Sequence, residues 1–202
     1  MAESQIQIFN HLKIHSQFSI CEGAIKIDDL KEISKEKKIR SLALCDTSNL
    51  CGALEFAEKI SKVGTQPIIG TQINFKLDDT IGLLPLFALN EIGYKRIIEL
   101  SSLSYLNNDG NSDPHLNFEE LLENNEGVAI FSGTINGLVG QLFNKGKFSE
   151  IEKLYSKLKQ KYGDKFYIEI QRHGDQNEIS FEKFNLSQSL NLEISIIATN
   201  EV

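Results

Sequence analysis

Short apolar runs alternate with helical stretches along most of this 202-residue chain. The apolar runs are brief, as is typical of strands buried on both faces of a parallel sheet. They cover residues 10–15, 41–45, 66–75, 83–89, 128–132, 166–171 and 194–199. Repeated β–α units of this kind predict an α/β fold, either a barrel or a doubly wound sheet.

The helical stretches have recognisable ends. From Phe148 to Tyr162 apolar side chains recur at helical spacing, with glutamates early, lysines late and Gly163 as a stop signal. Asn117 followed by Glu120 predicts a capping box at the start of another helix. Helices are predicted over residues 28–38, 51–62, 91–103, 118–124, 148–162 and 178–190.

Candidate site residues distinguish the two architectures. They fall at or after the C-terminal ends of several different predicted strands, which is how barrel proteins assemble a pocket. A doubly wound sheet places its site at one crevice, often with a glycine-rich phosphate loop, and neither GxGxxG nor GxxxxGK[ST] occurs in the sequence. The pattern therefore favours a single barrel domain, because 202 residues are too few for two ordinary domains.

Composition excludes several classes of function. A net charge of −7 argues against a nucleic-acid grip, which depends on Lys and Arg neutralising phosphates. The three cysteines, Cys21, Cys45 and Cys51, form no CxxC pair and predict neither a disulfide framework nor a thiolate zinc site. No apolar run approaches the roughly 20 residues that cross a bilayer. We therefore expect a cytoplasmic protein that binds other proteins, with no membrane contact.

Several segments together indicate a family. Near the start, His-Leu-Lys-Ile-His-Ser at residues 11–16 precedes Glu-Gly-Ala at residues 22–24. Cys-Asp-Thr-Ser-Asn-Leu-Cys-Gly at residues 45–52 and Pro-Ile-Ile-Gly at residues 67–70 follow. In order and spacing these segments resemble the N-terminal PHP (polymerase and histidinol phosphatase) domain of bacterial DNA polymerase III alpha subunits. Further similar segments cover residues 90–94, 101–105, 126–133, 167–174 and 198–202.

The resemblance carries expectations about architecture and partners. It implies a distorted (β/α)7 barrel over residues 1–202, incomplete at its C-terminus, within a much longer DNA-directed DNA polymerase that uses Mg²⁺ in its other parts. It also implies that the domain binds the separate proofreading exonuclease subunit and the remainder of the polymerase. In that setting the domain would act in DNA replication without gripping DNA directly.

The resemblance also implies which positions hold metal ligands in metal-binding members of the family. An HxH pair there corresponds to Lys13 and His15, and an aspartate to Glu22. Other ligands correspond to Thr47, Gln72, Leu83 and Thr134, and the closing Asp-x-His begins at Glu201. Only His15, Glu22 and Glu201 of these eight side chains are potential ligands.

Loss of the other ligands predicts loss of chemistry. Phosphoester hydrolysis at such a site needs clustered cations, each with several His or carboxylate ligands. Three dispersed ligands do not supply them, and the Lys13 ammonium repels a cation. We expect no metal, no cofactor and no catalytic residue in this chain, which would then be an inactive docking scaffold. The alternative is an active metal-dependent phosphoesterase or 3′–5′ exonuclease.

Two further expectations concern charges near the predicted site. If the strand ends converge, buried carboxylates without a cation would repel each other, so we expect Lys13 to pair with Glu22, Glu201 or both. Arg172 and His173 lie near a strand end, where they can meet an anion. A structural hydrogen bond is the favoured interpretation for His173, because it explains the same placement without a ligand.

Overall fold

The computed structural model describes residues 9–108, 110 and 112–202. Its strands are β1 (Ser41–Thr47), β2 (Gln66–Leu77), β3 (Thr80–Ala88), β4 (Leu116–Asn117), β5 (Val128–Phe131), β6 (Phe166–Ile170) and β7 (Ser195–Ala198). Its helices are α1 (Ile27–Lys37), α2 (Ala53–Ser61), α3 (Glu91–Leu106), α4 (Phe118–Glu123), α5 (Leu138–Asn144), α6 (Phe148–Tyr162) and α7 (Glu178–Leu192). A 3₁₀ turn, Gly163–Lys165, leads into β6.

The strands form one curled sheet in the order β1-β2-β3-β5-β6-β7, and β4 pairs with β2. The segment before α1 extends the sheet beyond β1, because the Ala43 and Cys45 N–H groups donate to the His11 and Ile14 carbonyls at 3.0 and 2.9 Å. A parallel bridge between Lys13 and Glu201 then joins this segment to the chain after β7. The α/β barrel architecture predicted from the sequence is confirmed.

One strand departs from the parallel arrangement that its apolar run suggested. β3 runs antiparallel to both of its neighbours, β2 and β5, whereas β1–β2, β5–β6 and β6–β7 are parallel. Only Asp78 and Asp79 connect β2 to β3, and Asp78 adopts a left-handed φ of 51°. A two-residue connection permits only an antiparallel hairpin, because a parallel crossover needs a dozen or more residues.

Helix predictions agree well with the structure, and short elements were missed. α6 spans the predicted residues 148–162. The Asn117 N–H donates to Glu120 Oε2 at 2.8 Å, as the predicted capping box requires. α5 and β4 were not predicted, since seven and two residues are too few to display a period. Residues 10–15 form one isolated bridge, at Lys13, and no continuous strand, because their backbone groups are shared between β1 and residues 201–202.

Side chains on both faces of the sheet are buried, and this packing fixes the position of the strand ends. Leu42 and Leu44 of β1 pack outward against α1 and α2. Ala43 and Cys45 alternate with them and point inward, beside Phe87 and the other interior side chains Ala129 and Phe131. The largest cluster lies under α3–α7 and includes the fully buried Phe75, Phe118, Tyr155 and Phe166. In the part of the chain described, no helix is long and apolar enough to span a membrane.

Candidate functional site

A cavity of about 390 Å³ collects most of the predicted ligand positions at one end of the barrel. Seven of the eight line it, namely Lys13, His15, Glu22, Gln72, Leu83, Thr134 and Glu201. The eighth, Thr47, is the last residue of β1. Its hydroxyl contacts the cavity-lining Gln72, from whose Nε2 it accepts a hydrogen bond at 3.0 Å. Segments far apart in sequence therefore converge as the order of the motifs suggested.

Lys13 lies at the bottom of this cavity with only 1% of its surface exposed. Its ammonium Nζ is 3.2 Å from Glu201 Oε1 and 3.6 Å from Glu169 Oε1. Burial lowers the pKa of Lys13, but the negative charges of Glu169 and Glu201 outweigh burial and raise the pKa above its usual range. Lys13 is therefore a charged ammonium at neutral pH and not a general base.

The Glu201 carboxylate is contacted by hydrogen-bonding groups and by a positively charged group. The His15 imidazole Nε2 lies 2.9 Å from its Oε1, and the Gln72 amide donates to the same oxygen at 3.3 Å. Burial alone would raise the pKa of Glu201. The hydrogen bond from His15 and the positive charge of Lys13 outweigh burial and lower this pKa to about 2. Glu201 is thus an ionised carboxylate that is bound by His15, Gln72 and Lys13.

Glu22 is held at the rim of the cavity. Its carboxylate accepts a hydrogen bond from the Thr47 hydroxyl and lies 3.9 Å from His15 Nδ1. Nearly half of its side chain is exposed to solvent. The predicted ion pair between Lys13 and Glu201 is present, but the alternative pair between Lys13 and Glu22 is not formed. The expectation that Lys13 pairs with Glu22, Glu201 or both is therefore met by Glu201 alone, because Glu22 lies on the turn outside the buried group.

The remaining predicted positions form the wall opposite the charged groups. Leu83 of β3 contributes an apolar surface to the cavity. Thr134 follows β5, and its hydroxyl accepts the Asn136 N–H at 3.3 Å. Gly133 has a left-handed backbone (φ 79°) and packs this turn against β3. A Cβ atom on residue 133 would lie 3.1 Å from the Leu83 carbonyl oxygen. This side of the cavity therefore supplies no carboxylate or imidazole.

Sequence reasoning missed Glu169, the second partner of Lys13. This residue lies in β6 and is 1% exposed. Its Oε1 accepts hydrogen bonds from the Thr199 hydroxyl and from Gln171 Nε2, whereas its Oε2 has no hydrogen-bond partner among the described residues. The available signal was a single carboxylate within the apolar run Phe-Tyr-Ile-Glu-Ile, since a charge inside a buried strand needs a partner.

Asp46 was also missed, although it lies within a quoted motif. It is 1% exposed and accepts three hydrogen bonds, from the Ser16 N–H at 2.7 Å, the Ser16 hydroxyl at 2.8 Å and the Ser19 hydroxyl at 2.7 Å. These bonds fix the turn that follows His15. Ser19 Oγ, which donates to Asp46, also lies 3.5 Å from His15 Nδ1. Asp46 thus helps to position His15 without lining the cavity itself.

Arg172 and His173 do not join the cavity. The Arg172 guanidinium donates two hydrogen bonds to the Glu182 carboxylate, at 3.0 and 2.8 Å, on the protein surface. The backbone N–H groups of His173 and Gly174 donate to the Glu178 carboxylate at 2.8 Å. The Arg172 side chain and the His173 backbone N–H are therefore both bound to carboxylates of α7.

The donor set does not fit a cluster of divalent cations. Within the described ranges, no three or more His, Cys, Asp or Glu side chains are placed to hold a metal ion. The group between the Glu169 and Glu201 carboxylates is an ammonium, which has no lone pair to donate. His15 directs its Nε2 at Glu201, so its imidazole and that carboxylate bind each other. No hydrolytic step through a metal follows from this arrangement.

Comparisons with known proteins bear on the fold and the family. A family model described as "PHP domain" matches residues 11–173. Proteins named DNA polymerase III subunit alpha are similar to this chain over nearly its whole length. The protein of Caulobacter vibrioides is 33% identical over 100% of this chain. The proteins of Rickettsia felis and Vibrio cholerae are 35% and 32% identical, each over 96% of this chain. The chain spans only 16 to 18% of the length of these relatives.

One solved structure supports the architecture alone. An amidohydrolase from Chromobacterium violaceum, solved with bound sulfate and no metal, superimposes with a TM-score of 0.59. The alignment covers 95% of this chain and 86% of that protein at 13% sequence identity. At such low identity the likeness concerns the arrangement of helices and strands.

Proposed function

Since this chain belongs to the PHP domain family, we propose that it is the N-terminal PHP domain of a bacterial replicative polymerase, the DNA polymerase III alpha subunit. We propose further that the domain is a catalytically inactive scaffold that docks the proofreading exonuclease subunit. Similarity to alpha subunits over 96 to 100% of the chain supports the first part. DNA polymerisation, with its Mg²⁺ chemistry, would then belong to other parts of the longer protein.

One observation carries the proposal that the site is inactive. The predicted ligand positions do converge on a single cavity, yet the innermost of them, Lys13, places an ammonium between Glu169 and Glu201. A divalent cation at the same place would meet a fixed positive charge in a region shielded from water, where repulsion is strong. This placement of Lys13 supports the proposal that the converging ligand positions no longer bind a cluster of cations.

The proposed docking of an exonuclease is supported by the need of such a polymerase for proofreading. A scaffold without its own nuclease needs proofreading from a second protein, and tethering raises the effective concentration of that enzyme at the primer end. The acidic character of the chain, with a net charge of −7, favours a protein partner over direct contact with DNA. Replication takes place in the bacterial cytoplasm, which we propose as the location.

Metal analysis and hydrolysis assays test the inactive site. The chain is purified without chelator, its bound metals are quantified, and it is incubated with Mn²⁺ or Mg²⁺ and either p-nitrophenyl phosphate or 3′-labelled single-stranded DNA. We expect less than about one bound ion per chain and no turnover above buffer. Two or more tightly bound ions with turnover that mutation of His15 abolishes would instead identify an active phosphoesterase or 3′–5′ exonuclease.

Docking is tested with the longer polymerase chain. Calorimetry measures binding of the exonuclease subunit to the alpha subunit with and without residues 1–202. We expect deletion to reduce affinity by at least about 100-fold, the scale of an interface that loses its central contacts. Undiminished binding after deletion would place the docking surface elsewhere in the polymerase.

A further inference from the structure

The two edges of the curled sheet meet at a narrow seam, formed by residues 13–15 on one side and 201–202 on the other. Here the Val202 N–H donates to the Lys13 carbonyl at 3.1 Å, and the His15 N–H donates to the Val202 carbonyl at 2.8 Å. By comparison, β1 and β2 are paired continuously over seven residues. The seam therefore has few backbone hydrogen bonds, and side chains must contribute to its stability.

A concentrated charge cluster lies at the seam. Glu201 extends from one edge, Lys13 from the other, and Glu169 approaches from β6. Among the described residues, Lys13 is the only ammonium within ion-pair distance of the Glu169 or the Glu201 carboxylate. Without its charge, the carboxylates would have to be neutralised by protons or move apart, because like charges in a poorly hydrated site repel strongly.

We propose that the Lys13 ammonium is the internal cation that closes this barrel, replacing any requirement for a bound metal ion at the seam. Lys13 and Glu201 are linked by their backbones and also by their side chains, so the ion pair acts directly on the bridge that joins the two edges. The inference rests on seam geometry and charge, and stands whether or not the domain docks an exonuclease.

The position of Lys13 makes chemical rescue possible. Its side chain lines the 390 Å³ cavity, which also contains the partly exposed carboxylates of Glu22 and Glu201. Truncation of Lys13 to Ala removes three carbons and the nitrogen. Propylammonium supplies the same four heavy atoms and can enter from the cavity, whereas propanol has nearly the same shape without the charge.

Thermal unfolding of Lys13→Ala with each additive tests the proposal. Leaving the buried Glu169 and the partly buried Glu201 without their cation is expected to lower Tm by about 10 °C in a domain of this size. Propylammonium at tens of millimolar should recover at least half of the loss, and propanol at equal concentration should not. The matched control Lys153→Ala, on the exposed face of α6, should change Tm by less than about 2 °C and show no response to the amine.

Two additional measurements cover the case in which Lys13→Ala does not fold. Lys13→Met with Glu201→Gln should melt well above Lys13→Met alone, because the second change removes the carboxylate left without a partner. Chelation of metals should leave the Tm of the unmodified protein unchanged. The proposal is overturned if Lys13→Ala melts like the control, if propanol rescues as well as propylammonium, if the double variant gains nothing, or if a chelator lowers the parental Tm.

Discussion

The His15 imidazole nitrogen Nε2 lies 2.9 Å from Glu201 Oε1, although the two residues are 186 positions apart in the sequence. This contact and the Lys13 ammonium hold Glu201 as a carboxylate, with a pKa of about 2 against an ordinary value of 4.5. Because the folded state binds this proton more weakly than the unfolded state does, the pairing of Glu201 is a source of stability that depends on pH.

The first prediction concerns acid denaturation. Since the pKa of Glu201 is lower in the folded state, its stabilising contribution is complete above pH 4.5 and is lost as pH falls towards 2. Glu201→Gln should therefore be less stable than the parent at pH 7, and should lose less stability between pH 5 and pH 2. Urea unfolding across this range measures both slopes. Glu58→Gln, on the exposed side of α2, should retain the parental slope; equal slopes in all three proteins would refute the role of Glu201.

A second prediction concerns Asp46. Asp46→Ala removes the acceptor of three hydrogen bonds and leaves the Ser16 and Ser19 donors buried without partners. We expect a loss of about 3 kcal/mol in the free energy of unfolding, against less than about 0.5 kcal/mol for Glu58→Ala. Chemical denaturation provides the comparison. A loss below about 1 kcal/mol would mean that water replaces the carboxylate in this network.

A third prediction separates Arg172 from anion binding. Its guanidinium is already bound to Glu182 at the surface, so Arg172→Ala should cost less than about 1 kcal/mol of stability. Any change in Tm that inorganic phosphate causes should be the same in the parent and in this variant. Stabilisation by phosphate in the parent that disappears in Arg172→Ala would show that the residue exchanges Glu182 for an anion.

The fourth prediction concerns DNA. With a net charge of −7, the chain should not bind duplex DNA with sub-micromolar affinity at physiological salt. Fluorescence anisotropy with a labelled duplex measures this directly, and a titration with salt distinguishes phosphate contacts from other binding. Tight binding that weakens steeply with salt would contradict the expectation.

The sequence predicted those features that depend on local pattern. α6 was found at its observed bounds because its apolar period and terminal charges lie within a single stretch of chain. The convergence of Lys13, His15 and Gln72 on one cavity was implied by the resemblance to the family, which assigns these positions to one metal site. The helix required only local periodicity, whereas the site positions required the resemblance.

Features that depend on long-range partners were not predictable in the same way. The pairing of Lys13 with Glu169 depends on the face of β6 that points inward, and a one-residue change of register would have turned Glu169 outward. The direction of β3 depends on a two-residue turn at Asp78, whose left-handed backbone gives only a weak signal in the sequence. Asp46 acts through serines 27 to 30 positions away.

The hairpin formed by β2 and β3 also has a consequence for the order of folding. Its strands are joined by two residues, so closing the hairpin costs little chain entropy, whereas the seam must bring together residues nearly the whole chain apart. We expect the hairpin to be structured early on the folding pathway and the seam to form last. Native-state hydrogen exchange should then show the amides of His15 and Val202 opening at lower free energy than those of β2, and the barrel would open first along the line where its sheet is closed.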